Sequence, residues 1–315
     1  MAPRRILSLD GGGIKGIFSL SFLASIEEEI GNPVHQYFDL IAGTSTGGII
    51  ALGLGLGFSA KDLLSFYEDL AGQVFGGYPL TRALRHIGVS KYRQAPLRKA
   101  LEGKFRDLKL GDSKRRLVIP ATNLETGDVY VFKTAHHPRL SRDHRERAVD
   151  VALATSAAPT YFSAHRGVRG SPLVDGGLWA NNPAGLAVVE AISLLEWTRT
   201  DLIVLSMGCT TAPLNVGLGR RFGLGLVYWS SKVADIFMSG QSSASLGTAQ
   251  LLSGQKNVFR VSPSVPPGRF KLDRISEIPS LRGLGASGAR ERIPELRAVF
   301  FQDPAEEFQP YYPSS

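Results

Sequence analysis

Two apolar runs, each broken by a glycine-rich turn and followed by a helix-forming stretch, fill the first sixty residues. Arg5 to Leu9 reads as a short buried strand, Asp10-Gly11-Gly12-Gly13 as the turn, and Ile17, Leu20, Leu23 and Ile26 recur at helical spacing. The design repeats at once, with Phe38 to Ala42 as strand, Gly43 to Gly47 as turn and Gly48 to Leu54 as helix. Consecutive strand-turn-helix units predict a parallel sheet with helices on both faces, an α/β fold. Leu40 to Ala60 carries no charge and could pass for a membrane span, but its six glycines mark it as strand, tight turn and Gly-ended helix.

With 43% apolar and 20% charged residues in 315, the chain has material for one large core or two small ones. The lone cysteine, Cys209, excludes an intramolecular disulfide and points to a reducing cytosol. The apolar run behind the basic Met-Ala-Pro-Arg-Arg start is too short for a signal-peptide core. A net charge of +8 favours anionic partners, and it is gathered at Lys114-Arg115-Arg116, Arg139 to Arg147, Arg220-Arg221 and Arg282 to Arg297. No basic stretch interleaves aromatics as a nucleic-acid platform would, so no polymeric nucleic acid is expected as partner.

Leu117 to Thr122 and Val129 to Lys133 predict a hairpin across Glu125-Thr126-Gly127-Asp128. A strand over Ser171 to Val174 leads into Asp175-Gly176-Gly177, a helix follows Asn181-Asn182-Pro183, and Leu202 to Met207 is a further buried strand. Beyond Gly217 the chain turns Gly-, Ser- and Arg-rich, with helical stretches only near Tyr228 to Met238 and Arg290 to Phe300. We therefore expect a core over 1–216 and an irregular, partly helical cap over 217–315 packed on it.

Gly11-x-Gly13-x-x-Gly16 matches a dinucleotide-binding fingerprint, which needs an acid closing the second strand; Asp39 instead precedes that strand. Gly43-x-Ser45-x-Gly47 between strand and helix is a nucleophile elbow, exposing the Ser45 hydroxyl at a helix N-terminus. All six histidines precede Asp175, which leaves only a weaker Asp150 with His165 assignment for a histidine base. Asp175 can take the serine proton itself if electrostatic stabilisation carries more of the barrier, and the amides of Gly11, Gly12 and Gly13 can supply it.

Asp10 to Gly16, Gly43 to Gly47 and Asp175-Gly176-Gly177, in that order and with the alanine-rich Asp150 to Pro159 ahead of the last, resemble the signature blocks of the patatin-like phospholipases. The resemblance covers roughly residues 5 to 210 and implies a three-layer α/β/α hydrolase, a Ser45/Asp175 dyad, an oxyanion hole from Gly11, Gly12 and Gly13, and ester hydrolysis of membrane phospholipid without metal or organic cofactor. Lys15 stands where the family frequently has arginine, which keeps a charge near the oxyanion but loses the planar fork. Val131 to Pro138, Asp150 to Phe162 and Leu205 to Thr211 resemble the bacterial patatin-like effectors of antiphage signalling, which implies a cyclic dinucleotide activator, a cytoplasmic enzyme peripheral to the inner membrane face, and a homo-oligomer contact. Lys133, His136 and His137 are candidate phosphate ligands, with a surface hairpin end as the plain reading. A nucleotide-binding regulatory module built on the Gly-rich loop and a catalytically inactive lipid-binding protein are the competing functions.

Overall fold

Successive residues of the central strands point to opposite faces of one sheet, and both faces are dry. The computed structural model describes residues 3–76, 90–167, 170–213, 217, 225, 229 and 233–313. Its strands are β1 (Arg4–Leu9), β2 (Leu40–Gly43), β3 (Arg116–Asn123), β4 (Val129–Lys133), β5 (His165–Arg166), β6 (Pro172–Asp175), β7 (Leu202–Met207) and β8 (Val258–Val261). They join in the order β5-β6-β3-β2-β1-β7-β8, with β4 also paired to β3. The run β3-β2-β1-β7-β8 is parallel, while β4 and β6 lie antiparallel to β3.

Ile6, Leu40, Ala42, Val118, Leu202 and Val204 form one apolar layer, with α7 (Ala184–Ser193) and α8 (Val233–Ser253) over it. Leu7, Leu9, Ile41, Leu117, Ile119, Leu205 and Met207 form the other. Over that second face lie α1 (Gly16–Ile30), α2 (Thr46–Gly55), α3 (Ala60–Phe75), α4 (Gln94–Phe105), α5 (Ala148–Thr155) and α9 (Ile278–Phe300), while the one-turn α6 (Gly177–Ala180) follows β6. The result is the expected α/β/α sandwich. Every residue of α2 is buried, so its uncharged composition reports a helix enclosed by protein. No helix among the described residues is long and apolar enough to cross a membrane.

Among the described residues beyond 217, two elements depart from what the composition predicts. β8 extends the sheet beside β7, and α9 spans Ile278–Phe300 where only Arg290 to Phe300 was expected. Its buried residues Leu281, Gly285 and Ala289 fall one turn apart, and a Cβ at Gly285 would crowd the Phe18 carbonyl oxygen at 2.5 Å, so glycine there lets α1 and α9 approach closely. Tyr228 and Arg220-Arg221 lie outside the described residues. After α9 the tail crosses the rim where the parallel strands begin. Arg5 donates to the carbonyls of Phe300 (2.7 Å) and Asp303 (2.5 Å), Arg115 to that of Glu306 (2.8 Å), and Arg4 pairs with Asp39 and Glu306. Arg115 is thus neither a solvated charge nor a free anion site, and the cluster at 114–116 helps to hold the tail.

Phe300 is fully buried against Phe38, Phe259 and Phe301. Phe300→Ala is expected to lower the unfolding free energy in urea by about 3–5 kcal/mol, against about 0.5 kcal/mol or less for Tyr311→Ala in the same tail.

Candidate active site

β3 carries two different neighbours along one edge. Val118 pairs with both Ala42 of β2 and Lys133 of β4, and Ala121 pairs with both Tyr130 of β4 and Asp175 of β6. Since β4 overlaps both, it occupies one edge, and β2 and β6 share the other. They run towards each other and stop with only Ile119 and Pro120 of β3 between them. The chain leaving β2 makes the elbow at Ser45, and β6 ends at Asp175, so a hydroxyl and a carboxylate from distant segments meet where two strands abut. Asp175 reaches the rim on a strand that runs antiparallel to β3, along the part of its edge that β2 leaves open.

Ser45 sits at φ 56°, ψ −122°, a backbone region that residues with a Cβ rarely occupy and that costs about 1–3 kcal/mol. Neighbours hold it there. Its N–H donates to Thr155 Oγ1 (3.0 Å), whose hydroxyl donates to the Pro120 carbonyl (2.7 Å); its carbonyl accepts from Ile49 N (3.0 Å) in the first turn of α2; and Thr44 on its N-terminal side donates to the Ala180 carbonyl (2.6 Å). At Gly47 a Cβ would strike the Leu9 carbonyl oxygen, so the small residue lets the elbow press against the end of β1.

The Ser45 hydroxyl is within hydrogen-bonding reach of Asp175, whose Oδ1 also accepts from Gly177 N (2.7 Å). Burial pushes the Asp175 carboxyl up from its ordinary 3.8 to about 6, against the smaller opposing pull of the Ser45 hydroxyl and the Gly177 amide. Opposite lies the glycine loop. A Cβ on Gly11 would come within 3.3 Å of the Ser45 Cβ, so loop and nucleophile are neighbours. The Gly11 N–H, however, donates to the Asn181 carbonyl (2.9 Å). The Gly13 carbonyl accepts from Thr46 Oγ1 (2.9 Å) and Tyr67 Oη (3.2 Å), while Ile14 N donates to Leu272 O (2.8 Å), which pins the Gly13–Ile14 peptide at both ends. Among the described residues, the Gly12 and Gly13 N–H groups have no protein acceptor.

Lys15 is half-buried and its charge acts on Asp10 and Cys209. Asp10 is gripped by Arg260 of β8 at 2.9 and 2.6 Å, and the same guanidinium reaches Ser206. Arg260 and Leu272 carry no signal in the sequence, and Thr155 and Asn181 stand there only within the alanine-rich block and the helix cap; each acts through a backbone position or a partner far along the chain, which no local motif encodes. Burial raises the Cys209 thiol to about 11, so it is no competing nucleophile.

Other candidates lie elsewhere. Asp39 bonds Arg4 and the Arg5 N–H at the opposite rim, so the Gly-rich loop has no ribose-binding acid there. His165 pairs with Asp150 at 3.3 Å in a cleft beside Arg98, and no histidine among the described residues hydrogen-bonds Ser45; His86 lies outside them. His136 is buried, its Nδ1 on Thr134 Oγ1 (2.9 Å) and its Nε2 on Glu190 Oε1 (3.0 Å), while Lys133 takes the other Glu190 oxygen at 2.6 Å. The buried Glu190 carboxylate already takes up the Lys133 ammonium and the His136 Nε2, so these groups do not form an open phosphate-binding set. His137 Nδ1 accepts from the Arg139 N–H at 3.2 Å.

The profile of the patatin-like phospholipase family matches residues 7–188, which include Asp10 to Gly16, the Ser45 elbow and Asp175. A cGAMP-activated phospholipase of Vibrio cholerae serotype O1 is 35% identical over 97% of this chain and 96% of its own length. Another of that name, from Pseudomonas aeruginosa, is 36% identical over 86% of this chain and 83% of its own. The crystal structure of VipD from Legionella pneumophila overlays with a TM-score of 0.49 at 14% identity, over 95% of this chain and 67% of that one. The family profile covers more than half the chain and the full-length identity exceeds 30%, and on these grounds the chain belongs to the patatin-like phospholipases.

Proposed function

We propose that this phospholipase works through Ser45 and Asp175, and that a cyclic dinucleotide switches it on. The observation that carries the reading is a strained Ser45 within reach of a buried Asp175, beside the amides of Gly12 and Gly13, which have no protein acceptor among the described residues. Ser45 Oγ attacks the ester carbonyl of a phospholipid as Asp175 takes its proton. The carbonyl oxygen, now anionic, is held by the Gly12 and Gly13 N–H groups near the positive end of α2. Collapse of the tetrahedral species expels the lysophospholipid alkoxide, which recovers the proton from Asp175 and leaves an acyl-Ser45 ester. Water, deprotonated by Asp175, then releases the fatty acid and restores the hydroxyl.

Burial makes this aspartate a better base than a solvated one while leaving it mostly ionised at pH 7. The role of Gly11 is structural, its N–H spent on Asn181. Activation by a cyclic dinucleotide rests on the two near-full-length relatives named cGAMP-activated phospholipases. The chain meets its substrate as a peripheral enzyme on the inner membrane face.

Ser45→Ala and Asp175→Asn should each abolish fatty-acid release from fluorogenic phospholipid vesicles; activity retained in both would refute the dyad. The kcat/KM of the parent chain is expected to climb as pH rises through about 6, where Asp175 loses its proton. Stability moves the other way. A carboxyl whose folded pKa is raised holds its proton more tightly in the native state, so stability falls as pH rises from about 4 to 6 and the penalty persists above that. Asp175→Asn should therefore be more stable than the parent at pH 8 by up to about 3 kcal/mol, the gap closing below pH 4 in urea titrations. Assayed with cGAMP and a panel of other cyclic di- and trinucleotides, vesicle hydrolysis should rise with at least one; equal rates throughout would remove the activation.

A further inference from the structure

Exposed apolar side chains stand on the segments that adjoin Ser45 on both sides, the one that braces the glycine loop and the one that follows Asp175. On the glycine-loop side the segment 271–275 reads Lys-Leu-Asp-Arg-Ile, and Leu272 and Ile275 are 41% and 39% exposed. It is fixed at the site, because the Leu272 carbonyl holds Ile14 N and the Asp273 carboxylate is bound by Tyr92 Oη (2.8 Å) and Lys91. On the Asp175 side, Leu178 of α6 is 39% exposed, its carbonyl accepts from Gln241 Nε2 (2.5 Å), and Phe237, one turn earlier on α8, is 57% exposed. Charge accompanies the apolar groups. Among the described residues, Arg269, Lys271, Arg274 and Lys91 pair with no acids but Asp273 and Glu277, four cations against two carboxylates, and Lys271 has no ion pair.

We infer that Leu272, Ile275, Leu178 and Phe237, with Lys271 and Arg274 at their edge, form the surface that seats the cleft on an anionic phospholipid bilayer. The inference rests on the acyl-hydrolase reading and names the face that meets the lipid. A two-chain phospholipid has little presence as a monomer in water, so its ester reaches the buried Asp175 only if the mouth itself touches the membrane. Apolar side chains entering the acyl boundary and cations meeting the headgroups are the two contacts that interfacial binding needs, and both occur at the mouth. Asp273 is withdrawn from this face by Lys91 and Tyr92, so its negative charge does not oppose the headgroups.

The test separates docking from chemistry. In an inert Ser45→Ala chain, the bound fraction is measured by co-sedimentation with vesicles of phosphatidylglycerol and phosphatidylethanolamine, and with phosphatidylcholine alone, with and without cGAMP. Adding Lys271→Glu and Ile275→Ser should lower the partition coefficient on phosphatidylglycerol vesicles more than tenfold, and phosphatidylcholine should bind the unaltered surface weakly. With Ser45 intact, the same double substitution should hydrolyse monomeric p-nitrophenyl butyrate within twofold of the parent. Undiminished vesicle binding overturns the proposal, as does loss of soluble-ester hydrolysis, which would assign these residues to the site itself, or loss of self-association with vesicle binding kept, which would make the face a contact between copies. A parent that cleaves neither ester nor phospholipid sinks the hydrolase reading, while co-sedimentation still decides the surface.

Discussion

The facing ends of β2 and β6 on one edge of β3 are what the rest of the site depends on. A strand edge offers one line of hydrogen-bonding groups, and two strands approaching along it from opposite directions are held collinear with a gap set by register. Here the gap spans two residues, one of which, Pro120, lends its carbonyl to the Thr155 hydroxyl that fixes the Ser45 amide. Backbone pairing thereby defines the separation of hydroxyl and carboxylate. Side-chain packing only has to choose the rotamers, and the cost of the Ser45 backbone is spread over hydrogen bonds from four surrounding segments.

The second half of the chain completes what the first half begins. Asp10 closes β1, yet the guanidinium that balances its buried charge comes from β8, and the glycine loop is braced by the Leu272 carbonyl. An uncompensated carboxylate beneath that loop would cost several kcal/mol, so Arg260 is as much a condition of the loop geometry as its glycines. A glycine run is permissive by nature. Rigidity has to be imported, and here it arrives from more than two hundred residues away along the chain.

Much of this was legible in the sequence, for identifiable reasons. Buried strands such as Leu202–Met207 announce themselves because apolar side chains are needed on both faces, and the elbow does so because small residues are compulsory beside Ser45. β8 was not legible: it has four residues with an arginine inside, and that arginine looks like surface until its partner, Asp10, is placed. Only the second half of α9 was legible, since Gly283, Gly285, Gly288 and Pro294 oppose helix locally, while packing on α1 rewards the small residue at 285. The role of the Arg115 cluster was not legible either, because only three dimensions reveal the carbonyls that it serves. That the Gly11 N–H is spent on the Asn181 carbonyl was equally invisible, since peptide orientation leaves no trace in residue type.

The distant origin of Arg260 and of the α9 packing has a consequence for biosynthesis. A ribosome releasing this polypeptide exposes the serine elbow and its aspartate early, but the glycine loop lacks its counter-charge and α1 its covering helix until the last strand and helix have left the exit tunnel. The nascent chain thus carries the elbow and the aspartate before the glycine loop is braced, and the surroundings of Ser45 are in place only after β8 and α9 have formed.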